Sequence, residues 1–471
     1  MGSELQPAAM LPEIFLLFGA LVALIGGSFL PRRKQWGSRL VAVAALLGAG
    51  VAAVVALAGP ARTVFDATYA VDTATGVARL IVVVATLLVV LLAVDELAGD
   101  PRESETYVLL LLSALGAVVM AGASDLMLLI TGYLLASIPL YGLVGLGRTA
   151  AAAEAAMKTY LLGALLGIGL MTGVVVLYGV AGSTSYADLA RSLPGAPTAA
   201  VIFGVVAVFG GLMFKAGGVP GHFWVPDAAE GASSTAAAFL TTVPKVGALV
   251  AAFRLVSVLP ASIDWTLLVG ALATLSMTLG NLAAYAQDDP RRLLGWSTVS
   301  QVGYLLVPVA VVGASDLALP SLLVYLAGYA VTNVGAFAVV AALPERRSLA
   351  SYRGLAGARP WLAVALVVCL LGLVGTPPTA VFVGKLTTVT AAWDGGAAWL
   401  AVVVVVNSVA SLFYYLRWVA PAFRPGDPAE SAAAVPRPWA MRAAVVAGAG
   451  SLGVGLAAGV LWGVVSGSLV T

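Results

Sequence analysis

Fourteen apolar runs, each long enough to cross a lipid bilayer, dominate this sequence. A membrane-spanning helix needs about 20 mostly apolar residues. The runs fall at 10–30, 39–59, 77–94, 106–122, 125–146, 155–180, 199–216, 235–257, 265–286, 293–313, 317–343, 361–391, 396–419 and 441–465. The interval 217–234 is interrupted by Gly and Pro and reads as a short half-helix completing the seventh run. With 61% hydrophobic and 10% charged residues, the chain lacks the polar surface of a soluble domain, which carries about 25% charged residues. The fold class predicted is an all-α polytopic membrane protein. The first run, Leu11 to Leu30, has no positive charge before it and carries Glu13, so it reads as a retained span rather than a cleaved signal.

Charge orients the spans. Loops on the cytoplasmic side of membrane proteins carry the excess of Lys and Arg. With the N-terminus outside, sixteen of the 24 basic residues fall in inside loops: Arg32, Arg33, Lys34, Arg39, Arg102, Arg148, Arg291, Arg292, Arg346, Arg347, Arg353, Arg359, Arg417, Arg424, Arg437 and Arg442. The outside loops hold Arg62, Arg79 and Arg191. One missed span would scramble this bias, so it supports the count and predicts both termini outside; a bacterial plasma membrane is the expected location. The longest loop, 420–440, is rich in Pro, Ala and Arg and is expected on the cytoplasmic surface. A net charge of +2 gives no reason to expect a nucleic-acid partner. The single cysteine, Cys369, lies in an apolar run and reads as a buried thiol. The sequence shows no dinucleotide or phosphate-binding glycine motif, no Cys cluster and no His pair for a metal.

The remaining basic residues lie within spans: Lys158, Lys215, Lys245, Arg254 and Lys385. A lysine at the bilayer centre costs about 2.5–3.5 kcal/mol on insertion scales and marks a functional site by default. The alternative is a side chain that snorkels to the interface, and Arg254, near the outer end of its span, is expected to anchor there. Lys215, Lys245 and Lys385 each adjoin a helix break. "AGGVPG" with Pro220 follows Lys215, Pro244 directly precedes Lys245, and "VGTPPTAVFVGK" places Pro377 and Pro378 shortly before Lys385. Proline removes a backbone donor and frees a carbonyl. In lipid, freed groups need partners inside the protein or a wet cavity. Broken helices beside a charge are a way to build an ion site at the midplane. "GVPGHFW" (218–224) and "GTPPTAVF" (375–382) share a pattern and lie five spans apart, so the two copies would be inverted in the membrane. His222, the only histidine, stands between the first break and the acidic pair Asp227 and Glu230. With an unperturbed pKa near 6.5, it suits a coupling or gating role. It could equally hydrogen-bond backbone freed by the break. Glu154 and Lys158 stand at i,i+4 and can pair. No acid sits mid-span.

Several stretches carry a family resemblance. "GGLMFKAGGVPGHFWVPDAAEGASSTAAAFLTTVPKVGALVAAFRL" (210–255) resembles the signature of the antiporter-like subunits of proton-pumping NADH:quinone oxidoreductase, complex I, and most of all the subunit N type. "EAAMKTYLLGA" (154–164), "NLAAYAQDDPRRLLGWSTVSQVGYLL" (281–306), "YLAGYAVTNVGAFAVV" (325–340) and "GTPPTAVFVGK" (375–385) support it, and the likeness covers about 120–420.

The resemblance implies two inverted five-helix repeats with helices seven and twelve discontinuous. On that plan 1–122 holds N-terminal helices one to four, with helix four beginning the first repeat. The first antiporter-like repeat is 106–257 and the second, inverted, is 265–419, with a cytoplasmic loop and C-terminal helix over 420–471. It implies a proton relay through Lys158, Lys215, Lys245 and Lys385, with His222 matching the family's histidine. It also implies other membrane-arm subunits as partners. NADH, FMN, iron–sulfur clusters and quinone would be handled by those partners, and no cofactor by this chain. One position departs. The family's glutamate in span five corresponds to Leu134 in "LLASIPLY", and Asp125, nine residues away, lies about 13.5 Å along a helix at 1.5 Å per residue. Without that carboxylate, burial of Lys215 loses its compensating charge. Two other readings follow: a subunit of a related multisubunit cation/proton antiporter or hydrogenase-type complex, or a non-pumping structural spacer.

Overall fold

The computed structural model describes residues 6–426 and 436–470; residues 427–435, within the expected 420–440 loop, lie outside the described residues. Long apolar helices come first: α1 (Leu11–Phe29), α2 (Trp36–Leu57), α3 (Thr73–Leu97), α4 (Glu103–Gly122), α5 (Leu126–Gly145) and α6 (Ala150–Ala181). A two-stranded hairpin, β1 (Arg62–Val64) with β2 (Tyr69–Val71), fills the link between α2 and α3. A short surface helix, α7 (Tyr186–Ser192), leads into α8 (Thr198–Ala216). The chain then breaks repeatedly, through α9 (Trp224–Gly231), α10 (Ser234–Leu240) and α11 (Val243–Ser257). It resumes with α12 (Trp265–Tyr285), α13 (Pro290–Ala310) and α14 (Ala318–Ala342), and a single turn, α15 (Leu355–Ala358). The last elements are α16 (Pro360–Val374), α17 (Ala380–Asp394), α18 (Ala398–Ala422), α19 (Pro438–Leu456) and α20 (Ala458–Val465).

Among the described residues thirteen helical segments are long and apolar enough to cross a membrane. The remaining expected span, the twelfth at 361–391, is two 15-residue helices, α16 and α17, separated by a break over 375–379. Each half alone is too short to cross about 30 Å of hydrocarbon. The seventh span is likewise divided between α8 and α9. The discontinuities fall where proline and glycine predicted them, and the chain is an all-α, multi-pass integral membrane protein.

Burial sorts the helices into layers. The windows in 234–257, α13 and α14 are 100%, 94% and 94% buried, whereas the window in α2 is 28% buried. The outer helices turn rows of apolar side chains outward, such as Val51, Val54 and Val55 on α2 and Leu161, Leu165 and Ile168 on α6. In a bilayer those rows face lipid tails, so no hydrophobic penalty attaches to them. The break between α10 and α11 therefore lies in the buried centre of the bundle, where irregular backbone is tolerated, whereas Pro220, Pro377 and Pro378 at the other two breaks are exposed.

Polar contacts define two opposite faces. On one, arginine-rich, Arg292 pairs with Asp227 and Glu230 at 2.7 and 2.8 Å, Arg437 with Glu96 at 3.3 Å, and Arg417 with Asp288 at 3.0 Å. Glu96 also accepts from the N–H of Thr235 at 2.8 Å, tying the end of α3 to the start of α10. On the other face lie two buried ion pairs. Glu13 binds Arg79 at 2.7 Å, and Tyr69 donates to the same carboxylate at 2.6 Å. Arg79, expected in an outside loop, is thus a buried residue of α3. Removing it from the outer tally leaves the charge bias intact.

Arg254 binds Asp72 at 2.5 Å, Thr75 Oγ1 at 2.8 Å, the Ala121 carbonyl at 2.7 Å and the Val470 carbonyl at 3.0 Å. It is 1% exposed. The expected interface anchor is instead a buried tie joining α3, α4, α11 and the C-terminal segment. Burial alone would raise the Asp72 carboxyl. The Arg254 guanidinium and the N–H groups of Thr75 and Val470 outweigh it and hold the group below the ordinary carboxylate range.

Arg254→Ala should therefore leave a buried carboxylate uncompensated and destabilise the protein by about 3–5 kcal/mol, read as a lower thermal-inactivation temperature of the purified complex. The sign with pH is fixed. A depressed folded-state pKa gives stability that is complete above the ordinary carboxylate value of about 3.9 and lost as pH falls through the lower folded value. The gap between wild type and Arg254→Ala should close only under such acid conditions.

Candidate functional site: buried lysines at three helix breaks

Each break is built by a helix that stops within the bundle. α8 ends on Gly217 and α16 on Gly375, both left-handed, with φ of +82° and +92°. Glycine adopts that conformation without the Cβ clash that burdens other residues. Beyond them the Val219–Pro220 and Pro377–Pro378 peptide bonds are cis. The third break lies between α10 and α11. Pro244 sits in the first turn of α11, where its missing N–H costs no intrahelical bond.

A helix end leaves carbonyls without intrahelical partners, and it carries partial negative charge. Lysine amines take those positions here. Lys385 Nζ donates to the carbonyls of Val374 at 2.9 Å and Leu373 at 3.2 Å, the last two residues of α16. Lys245 Nζ donates to the carbonyl of Leu240, the last residue of α10, at 3.0 Å. Both side chains are buried, at 5% and 0% exposure. Lys385 also stacks on the Tyr304 ring at 3.9 Å.

Lys215 is different. It is fully buried at the end of α8, and its Nζ has no hydrogen-bond partner among the described residues. Its neighbours are ring faces: Tyr133 at 5.2 Å and Phe214 at 5.9 Å. Phe214 packs on Trp224 at 5.3 Å, and Lys245 lies 5.3 Å from the Trp224 ring on its other flank. Two lysines thus bracket an aromatic pair. Leu134, half-buried beside Tyr133 on α5, contributes no charge.

Between Lys245 and Lys385 runs a strip of neutral polar groups. Tyr329 donates to the Thr241 carbonyl at 2.6 Å and contacts Thr298 Oγ1 at 3.3 Å. Asn333 donates to Thr241 Oγ1 at 3.0 Å and Thr242 Oγ1 at 2.9 Å. Gln301, one turn along α13 from Thr298, accepts from Tyr325 at 2.7 Å and donates to the Leu373 carbonyl at 2.8 Å. That carbonyl is the one Lys385 also binds. None of these residues was singled out from the sequence. Uncharged side chains hardly perturb hydropathy. The available signal was spacing, with Thr298, Gln301 and Tyr304 on one face of α13, and Tyr325, Tyr329 and Asn333 on one face of α14.

Lys158 and His222 stand elsewhere. Lys158, near the arginine-rich end of α6, binds Glu154 at 2.7 Å and Asp227 at 2.8 Å. Asp227 also binds Arg292, so this cluster joins α6, α9 and α13. His222 is 3% exposed and packs against Phe223 at 4.1 Å and Trp296 at 5.7 Å. Its ring meets none of the lysines.

Buried lysines at broken central helices, in a bundle of some fourteen spans, are the features of one class of membrane protein. The profile of the family described as "NADH:quinone oxidoreductase/Mrp antiporter, TM" matches residues 123–411, and the chain belongs to this family of antiporter-like membrane subunits. Within it the chain is of the subunit N type. It is 61% identical to NADH-quinone oxidoreductase subunit N of Mycobacterium sp. (strain JLS), across 98% of this chain and 99% of that protein. It is 51% identical to subunit N 1 of Streptomyces griseus subsp. griseus, across 98% of both. A chain of respiratory complex I from Thermus thermophilus superposes with a TM-score of 0.83 at 29% identity, covering 97% of this chain and 100% of that one. A chain of the Mrp complex from Dietzia sp. DQ12-45-1b shares the fold, with a TM-score of 0.84 at 22% identity, covering 98% and 96%.

The first break depends on close backbone approach. A Cβ on Gly221 would lie 2.5 Å from the backbone N and Cα of Phe214. Gly221→Ala should cost about 1–3 kcal/mol through overpacking. Gly169→Ala on α6, where a Cβ meets nothing within 4 Å, should be neutral. Thermal inactivation of the two variants side by side checks the contrast.

Proposed function

We propose that this chain is a membrane-arm subunit of a respiratory NADH:quinone oxidoreductase-type complex, and that Lys215, Lys245 and Lys385 carry protons along the middle of the membrane. The observation that supports this most is the set of buried amines at three helix breaks, two of them with a strip of neutral polar groups between. Burial disfavours charge on each amine, while helix-end carbonyls and aromatic faces favour it. An amine poised between these effects can accept a proton and give it up. Lys158, in contact with Asp227 of α9, would stand at the arginine-rich end of the relay, and His222 would act through the same half-helix. The two halves, 106–257 and 265–419, would be inverted repeats. In both, the lysine-bearing half-helix is the one directed away from the arginine-rich face. That face would be cytoplasmic, with both termini opposite, in a bacterial plasma membrane. NADH oxidation and quinone reduction, with FMN and iron–sulfur clusters, would belong to partner chains.

A positioned acid–base group typically contributes about 10²–10⁴-fold to a proton-transfer step. Lys385→Ala and Lys215→Ala should accordingly reduce NADH-driven proton pumping in vesicles to below about a tenth of wild type, at unchanged amounts of assembled complex. Normal pumping by both would rule the relay out.

A non-pumping spacer is favoured by one observation: among the described residues Lys215 has no ion-pair or hydrogen-bond partner. Under the relay reading, Leu134→Glu adds a counter-charge beside a working station and changes the pumping rate without creating it. Under the spacer reading, Lys215→Ala has no effect and Leu134→Glu alone raises the protons pumped per NADH oxidised.

A further inference from the structure

A second polar path leaves Lys385 sideways and descends between α12, α13 and α18. It starts at Tyr304, whose ring lies under the amine. The residue is 0% exposed, yet its Oη has no hydrogen-bond partner among the described residues. Around that hydroxyl stand Asn281, Ser300 and Ser408. Ser408 Oγ is also buried without a partner among the described residues. Asn281 Oδ1 accepts from Ser300 at 2.8 Å and from Tyr414 at 3.2 Å, and its Nδ2 donates to Asn407. The Tyr414 ring packs on Tyr415 at 4.3 Å, and Tyr415 Oη shares a 2.5 Å hydrogen bond with Ser297 Oγ.

The order along α13 gives the path a direction. Counting from Pro290, at the arginine-rich end, Ser297, Ser300 and Tyr304 lie about 10, 15 and 21 Å up the helix at 1.5 Å per residue. Below Tyr414, Tyr285 packs edge-on at 5.7 Å, and its carbonyl accepts from Arg417. Arg417 is 39% and its partner Asp288 82% exposed. A polar column thus runs from a mid-membrane amine to the arginine-rich surface, and among the described residues its members between Lys385 and Arg417 are neutral.

Packing alone does not account for it. A purely structural network satisfies its members, because an unpaired buried hydroxyl costs about 1–3 kcal/mol. Here the Tyr304 hydroxyl, on the ring beneath the Lys385 amine, and that of Ser408 have no partner among the described residues. Polar, roomy sites of this kind hold ordered water bonded to two to four groups.

We propose that this column is a proton-access branch supplying Lys385 from the arginine-rich face through hydroxyls and bound water. It rests on the reading of Lys385 as a proton station. The step balances without any other reactant. Each hydroxyl or water takes a proton on a lone pair as it releases its own to the next oxygen. One proton leaves the aqueous side and one arrives on the neutral Nζ of Lys385. Rotation of the hydroxyls then resets the path. Asn281 does not carry the proton. It is a positioning residue that aims Ser300 and Tyr414.

The test uses the intact complex in membrane vesicles, with NADH oxidation and proton pumping measured together. Tyr304→Phe and Tyr414→Phe remove only the hydroxyls. Each should lower the protons pumped per NADH by about threefold or more, with assembled complex and uncoupled NADH oxidation at wild-type levels. Ser408→Ala, which breaks no hydrogen bond of the structure, should do the same and keeps the test decisive if a tyrosine variant fails to assemble. Wild-type pumping by these variants, alongside lost pumping in Lys385→Ala, overturns the branch and leaves the lysine relay standing. Wild-type pumping by Lys385→Ala removes the relay, and the branch with it.

Discussion

The structure turns on one interaction: a lysine amine laid against the carbonyl end of a helix that stops inside the membrane. Either partner alone would be costly there. An amine in hydrocarbon has no water, and a truncated helix leaves carbonyls bare. Together they satisfy one another. Lys385 covers the end of α16 and Lys245 the end of α10. The partial negative charge of a helix C-terminus adds about 0.3–1 kcal/mol for a nearby cation in ordinary settings, and about 2 kcal/mol in favourable, partly buried ones. Neither the breaks nor the charges make sense singly.

The rest of the bundle holds those ends in register. α13 and α14 supply the neutral strip because they are buried almost throughout, so most polar side chains on them pair inside the bundle, Tyr304 Oη being one that has no partner among the described residues. Gln301 and Tyr329 do this by holding the carbonyls of Leu373 and Thr241, on either side of the strip. Ion pairs stand at the two faces and stay out of the middle. Arg254–Asp72 and Arg79–Glu13 bind the helices on one face, and the Asp227 cluster anchors α9 on the other. The middle is left with amines, hydroxyls and amides, groups that exchange or orient protons without a fixed countercharge. Lys215 is the exception within this scheme. It has aromatic faces for company, and that sets it apart from Lys245 and Lys385.

Much of this was legible in the residues. The span count, the breaks at Pro220, Pro244 and Pro377–Pro378, and the lysines beside them all stood out, because hydropathy, proline and charge act locally. The Glu154–Lys158 pair followed from helical spacing. Arg254 and Arg79 were misjudged for one reason. Both lie near span ends, where an isolated helix would let them reach water, and only the tertiary arrangement of α1, α3 and α11 brings Glu13 and Asp72 within range. The relation of His222 to the lysines was equally out of reach. The break that follows Lys215 turns the imidazole toward Trp296 on α13, a direction no linear spacing encodes.

By itself the sequence determined the membrane class, the number of crossings, the breaks and the family, since these depend on short-range chemistry and on long matched motifs. Tertiary structure alone decided which carbonyl each amine would meet, which neutral residues would link them, and which arginines would be buried. Those outcomes depend on side chains up to hundreds of residues apart approaching to within 3 Å. That proximity comes from helix packing, and hydropathy along the chain carries no record of it.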